Sequence, residues 1–511
     1  MNYKRLFISC MVALAVSAVI FVVMNDFGIT WDEPIYFAHA GRYVSWLKNP
    51  QLGKEHLFFQ ASTDDLHPPF RKLIGGLTHE ILVNQLKVLD NTRGYRISSL
   101  LFVFPFILVY TYIAIGQFGY AIGIVTPFIF STIPHVLFLT PLMTTDYALA
   151  VMWFTATITM VKSKKSIFLL TITGVLVGCM MLTKLYGFLI VIPIVGYWMW
   201  DYRKTFFLRD NLRDSICALW KLSFVFLVSI ATYVMVWPWL WKSPFNNIYE
   251  YFRLQLGHSG VPVSIFGQTY IHAPWWYTPI MFFSTTPVYV LVFFIIGSLY
   301  IIKKGNKWDW IFFVNALFPL IFFSLPGVYR YDGVRLFLAS FPFVCLVGAR
   351  GMQYTVQIFH KKLQYFVLSI LVLLWLGSVY FSVIRMHPWE SSYYNEFVGG
   401  VYGAYQLGFE SEFWGNAFFG VLPWMNANKK DMMCVYPLTA PFYYYQAMGQ
   451  IESGVVFNAD KGACKYMVVL MRQGMFDAEV KHMIKTEKPV YQLLLQGVPL
   501  VGIYDVERKK E

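Results

Sequence analysis

The 511-residue sequence is 57% hydrophobic and only 14% charged, with a formal net charge of +13. So little polar material cannot cover a soluble globule of this size, which makes the chain a membrane protein. Its cations are spread over short connections and form no single patch, so no nucleic-acid partner is expected.

A helix crossing the hydrocarbon layer needs roughly 20 apolar residues. Residues 6–24, 97–115, 120–139, 222–241, 277–302, 310–326 and 365–384 contain no Lys, Arg, Asp or Glu. Residues 147–161, 166–183, 185–200 and 336–349 are shorter and equally apolar. Together they predict about eleven spans. The first follows Lys4 and Arg5 as a signal peptide would, but no small-residue cleavage site follows it, so it reads as a retained anchor. Basic residues fall on alternate connections: Lys4/Arg5, Lys162/Lys164/Lys165, Arg203/Lys204/Arg209/Arg213, Lys303/Lys304/Lys307 and Arg350/Lys361/Lys362. That face is expected to be cytoplasmic. The expected location is therefore the cytoplasmic (inner) membrane, with the N-terminus inside and the C-terminal part outside.

The first outer loop, residues 25–96, opens with "GITWDEPIYFAHAGRY". Pro34 followed by Tyr36, Phe37, Ala40, Tyr43, Val44 and Leu47 predicts an amphipathic helix along the outer membrane surface. Asp32 and Glu33 at its start would favour the helix dipole whatever else they do. The loop continues to "TDDLHPPFRKLIGG", with His67 near the membrane border. "TPLMTTDYALAV" places Asp146 at the outer mouth of the next helix, where an acidic residue also serves as a cap. "YRYDGVRLFLASFPF" packs Arg330, Asp332 and Arg335 into one outer turn, although arginines there also snorkel to headgroups. "HPWESSYYNEFVGGVYGAYQLGFESEFWG" follows the last span as a polar, aromatic stretch. All four features fall on the same predicted side, which favours an active site over four unrelated caps.

Beyond residue 385 the apolar runs shorten to strand size at residues 432–436, 454–457 and 466–471, with a helix-like "TAPFYYYQAMGQ" between the first two. A membrane domain (1–384) and a juxtamembrane segment with a small extracytoplasmic α/β domain (385–511) are expected. Of the six cysteines, Cys434 and Cys464 lie in that domain, where the compartment permits a disulfide.

The order and membrane side of "TWDEP", "HPP", the Asp after the third span, "YDGVRLFL", "HPWESSYYNEFVGG" and "GFESEFWG" resemble the polytopic GT-C glycosyltransferases. The similarity is to bacterial relatives of the protein O-mannosyltransferases and aminoarabinose transferases. The resemblance implies transfer of a sugar from a polyprenyl-phosphate or pyrophosphate carrier to an extracytoplasmic protein, lipid or glycan acceptor, and it implies a functional acidic residue at Asp32. The departing lipid phosphate needs no protonation, so one carboxylate to take the acceptor proton and cations to hold the phosphate suffice. Asp32 is the expected base, and Glu33 would orient the acceptor or the loop. Arg335, Arg330, Lys184 and His258 are the candidates for the phosphate. Asp146 would position Arg or His side chains, bind acceptor hydroxyls or help hold a divalent ion; Asp332 belongs with the substrate-binding set, and His67 orders the loop. No obligatory metal is expected, with a divalent cation left open. A single displacement would invert the anomeric carbon. A secondary transporter or flippase, and an oligosaccharide ligase or polymerase, remain the alternatives. Transporters place ionisable groups near the midplane in related halves, and no such repeat is present here.

Overall fold

The computed structural model describes residues 2–51, 53–59, 66–207, 212–257, 260–437, 439–458 and 464–506. His258 and Arg209 lie outside the described residues.

Each of the eleven apolar stretches is helical, but they are divided unevenly. Among the described residues, six helices are long and apolar enough to cross a bilayer: Tyr3–Val23, Asn91–Phe118, Leu185–Arg203, Ser215–Val236, Arg335–Ile358 and Lys361–Ile384. A bent pair, Tyr277–Thr285 and Val288–Lys304, would make a seventh. Other expected spans are shorter helices, among them Tyr120–Ser131, Ile167–Met181 and Lys307–Phe322. Proline and glycine account for some of the breaks: the stretch 120–139 stops at Thr132 and restarts at Pro134, and the stretch 277–302 bends by 115° just before Pro287. Proline lacks the N–H that would carry the ladder through. At that bend Asn395 closes the open helix end, its Nδ2 donating to Phe283 O (2.5 Å) and Thr286 O (2.7 Å) while its own N–H donates to Ser284 O.

The basic connections gather at one end of the bundle. Arg5 lies 3.8 Å from the Tyr112 ring centre and Lys162 5.6 Å from the same centre. Lys164 and Lys307 share the Asp201 carboxylate, and Arg350 meets Asp309 at 2.8 Å. The helix Thr145–Lys162 runs from that end to the opposite one, where Asp146 sits in its first turn.

The helix Glu33–Lys48 forms as expected, with Pro34 in its first turn, but it does not rest on the lipid surface alone. Tyr36, Phe37, His39, Ala40, Tyr43 and Val44 are buried. They pack against Phe70–His79 and against the helix Ala440–Ala447 of the C-terminal domain. That domain is a five-stranded sheet in the order Phe457–Asn458, Met433–Tyr436, Tyr466–Leu470, Val498–Asp505, Tyr491–Leu495. The first three strands are parallel and the last two run antiparallel to their neighbours. The final hairpin adds to the expected elements: Gln496 (φ 50°) and Gly497 (φ 83°) make the two-residue left-handed turn that hairpin twist requires. Cys434 and Cys464 are disulfide-bonded across one face of the sheet.

Candidate active site

At the end of the bundle away from the basic connections, charged side chains from five separate segments converge. Arg335 is the hub, buried to 7% exposure. Its Nη2 lies 3.0 Å from Asp32 Oδ2, its Nη1 2.6 Å from Asp332 Oδ2 and its Nε 3.4 Å from Asp146 Oδ2. The guanidinium stacks 3.9 Å from the Trp414 ring centre, an arrangement that holds a cation without consuming its donors. Lys184 Nζ donates to Asp146 Oδ1 at 2.7 Å. From the C-terminal domain, fully buried Arg472 donates to Asp332 Oδ1 at 2.5 Å and lies over Trp31 at 4.3 Å. Three carboxylates thus face three cations, the pairing that burial of charge demands.

Local backbone places each member. Asp332 (φ 55°) and Gly333 (φ 64°) form a tight left-handed turn, fixed by Gly333 N–H donating to Tyr277 OH. That turn aims Asp332 at Arg335, Arg472 and the Trp414 indole N–H at once. The strand-like segment before Asp32 is tied to the chain's last third: Gly28 N–H donates to Asn416 Oδ1, Ile29 N–H to Tyr445 OH and Trp31 N–H to Trp414 O. Any side chain at Gly28 would meet Asn416 O at 2.3 Å, so glycine is required there by close approach.

Asp32 makes no side-chain capping bond to the helix it begins, which separates it from the simple cap reading. A quarter of its side-chain surface reaches solvent. Enclosure by the surrounding protein still pushes its carboxyl above the usual value, with Arg335 pulling the other way and Asp332 and Asp146 adding to the rise.

Glu33 occupies a different place from its neighbour. It is fully buried against Arg96, accepting from Nε at 2.8 Å and Nη2 at 2.6 Å, and also from the N–H groups of Thr30 and Met143. Arg96 spends its remaining donors on the carbonyls of Met24, Phe27 and Gly28. Of the two expectations for Glu33, orienting an acceptor and orienting the loop, only the second fits, because its oxygens are saturated within the protein. Arg330, a candidate for the phosphate, lies apart from the three aspartates and donates to Ala273 O and Leu325 O. His67 has its ring edge-on to Tyr36, while its carbonyl accepts from Lys72. The sequence reading missed Arg96, Arg472 and Trp414. Among the described residues no group of three or more His, Cys, Asp or Glu side chains could hold a metal ion; Asp32, Asp146 and Asp332 converge on a guanidinium.

Residues 55–248 match the family model described as dolichyl-phosphate-mannose-protein mannosyltransferase. No curated protein sequence matches the chain. The structure is similar to ArnT from Cupriavidus metallidurans bound to undecaprenyl phosphate, with a TM-score of 0.52 and 11% identity, covering 99% of this chain and 98% of that one. It is similar to the apo form of the same protein, with a TM-score of 0.50 and 14% identity, covering 97% of each chain. An oligosaccharyltransferase from Archaeoglobus fulgidus matches with a TM-score of 0.48 and 9% identity, over all of this chain and 75% of that one. The fold is ArnT-like, that of a mostly helical multi-pass membrane protein with a small C-terminal sheet domain. The mannosyltransferase match adds the activity class, glycosyl transfer from a lipid-linked sugar.

Proposed function

We propose that this chain moves a sugar from a polyprenyl-phosphate or pyrophosphate carrier to a protein, lipid or glycan acceptor on the outer side of the cytoplasmic membrane. One observation carries the reading: Asp32, a partly accessible carboxylate at the bundle end, pairs with Arg335 at 3.0 Å, so a candidate base and a candidate phosphate-holding cation sit side by side. The acceptor hydroxyl gives its proton to Asp32 as its oxygen attacks the anomeric carbon. The bond from that carbon to the carrier oxygen breaks, its electrons stay on the phosphate, and the configuration inverts. Arg335, with Lys184 behind Asp146, stabilises the charge that develops there. Glu33 holds the loop, and residues 1–384 and 385–511 form the membrane and exported parts, with Arg472 and Trp414 carrying the second part into the site. The gathering of Lys and Arg at the other bundle end supports a cytoplasmic N-terminus and an extracytoplasmic C-terminus. Reporters fused at Lys164 and at the C-terminus are expected to give opposite readouts, and matching readouts would overturn the orientation.

The decisive experiment uses purified protein, a labelled polyprenyl-phosphate sugar and a separate donor-binding assay. Asp32→Asn is expected to bind donor while transfer falls by roughly 10²- to 10⁴-fold. Only the deprotonated base works, so wild-type transfer should fall as pH drops through the raised Asp32 pKa, with an acid limb above the ordinary aspartate value of about 3.9. Near-normal turnover by Asp32→Asn would remove it from the mechanism. The cluster's carboxylates already have cations, so no step is routed through a divalent ion and turnover in chelator is expected to persist.

A further inference from the structure

A cavity of about 520 Å³ lies toward the basic end of the bundle between the helices Thr145–Lys162, Val191–Phe207 and Lys307–Phe322. Its size is that of a specific ligand pocket, and its walls are almost wholly apolar, Met160, Ile192, Val314 and Phe318 among them. Ile192 and Val314 are half-exposed toward the lipid side. A Cβ added at Gly196, in the wall, would meet nothing within 4 Å, so the helix backbone itself leaves the groove open.

The groove's mouth is charged and aromatic. Lys164 and Lys307 both reach Asp201 yet keep 54% and 41% of their side-chain surface exposed. Lys307 Nζ lies 5.0 Å from the Tyr197 ring centre and 5.5 Å from that of Trp200. Lys221 joins them by donating to Lys164 O at 2.9 Å. Three ammonium groups against one carboxylate leave net positive charge beside aromatic rings, the composition of a headgroup-level site. Met160 follows Asp146 by fourteen residues on the same helix, a rise of about 21 Å at 1.5 Å per residue. A lipid seated here cannot also present its phosphate to Arg335, which separates this groove from the carrier site.

We infer that the groove binds one hydrocarbon chain of an anionic phospholipid from the leaflet at the basic end of the bundle, with the lipid phosphate at Lys164 and Lys307. The inference does not depend on the proposed reaction. A zwitterionic lipid offers the same chain without the net charge, so headgroup preference distinguishes this site from ordinary lipid contact.

The test titrates full-length protein in detergent with phosphatidylglycerol or with phosphatidylcholine of identical chains, counting retained lipid by native mass spectrometry. Wild type is expected to retain phosphatidylglycerol in preference. Gly196→Phe, whose ring fills the open space, should lose the retained lipid. Lys307→Gln, a change at an exposed side chain, should lose the preference while helical circular dichroism stays at the wild-type level. Equal retention of the two lipids by wild type, undiminished phosphatidylglycerol on Gly196→Phe, or an unchanged preference in Lys307→Gln would each overturn the proposal.

Discussion

Asp32 and Glu33 are neighbours in sequence and opposite in placement because consecutive side chains at a helix start point about 100° apart. One carboxylate reaches the partly open face of Arg335, while the other turns inward to Arg96, where both partners are fully buried. Removing one member of a buried pair leaves the other charge uncompensated, at a cost of about 3–5 kcal/mol. Glu33→Gln is therefore expected to destabilise the protein by that amount, seen as a lowered thermal midpoint in detergent, whereas Asp32→Asn should melt near wild type. If the two variants melt alike, the assignment of loop-holding to Glu33 and chemistry to Asp32 loses its basis. The charged residues beside apolar runs, Asp146, Lys184, Asp332 and Arg335, were legible in the sequence because membrane side alone groups them. Arg96 and Arg472 were not, since their carboxylate partners lie 63 and 140 residues away and nothing local marks the pairing.

At the scale of elements, the bend at Thr286 and Pro287 shows how a motif can carry structure as well as chemistry. In a water-poor environment an interrupted helix must satisfy its freed carbonyls within the protein. Asn395, in the "SSYYNEF" stretch that helped to suggest the family resemblance, meets Phe283 O and Thr286 O with a single amide. The bend itself was hidden in the sequence reading because hydropathy averages over a break that leaves composition unchanged. Asn395→Ala should orphan both carbonyls at about 1–3 kcal/mol each. Asn395→Asp should do no better, as a carboxylate cannot donate to them. Thermal melting of the two variants measures this, and a wild-type midpoint in both would mean that the bend is held by packing alone.

For the whole molecule, the helical bundle and the C-terminal sheet meet through a joint rich in buried acids. Burial pushes Glu410 and Glu412 each up to about 7, against the opposing pull of Arg472 and of backbone N–H donors. His387, bonded to Glu390 and Asp26, is raised to about 8. All three groups bind protons more tightly in the folded protein than in the unfolded chain, where Glu and His titrate near 4.3 and 6.5. A raised folded-state pKa contributes stability that is complete below the unfolded value and is lost as pH rises through the folded one. The joint should therefore weaken progressively between about pH 4.3 and 8. A tenfold gain in proton affinity on folding is worth about 1.4 kcal/mol, so each glutamate accounts for up to a few kcal/mol. Thermal unfolding followed from pH 5.5 to 8.5 is expected to show the midpoint falling with pH, and Glu410→Gln, which keeps the shape without the titration, should flatten part of that slope. A midpoint that climbs over this range, or a Glu410→Gln slope equal to wild type, would show that the glutamate remains ionised throughout. Because Arg472 touches both Asp332 and the joint, loosening the joint would also reach the candidate site, and on the proposed reaction activity should decline with the same pH dependence above the acid limb expected from Asp32.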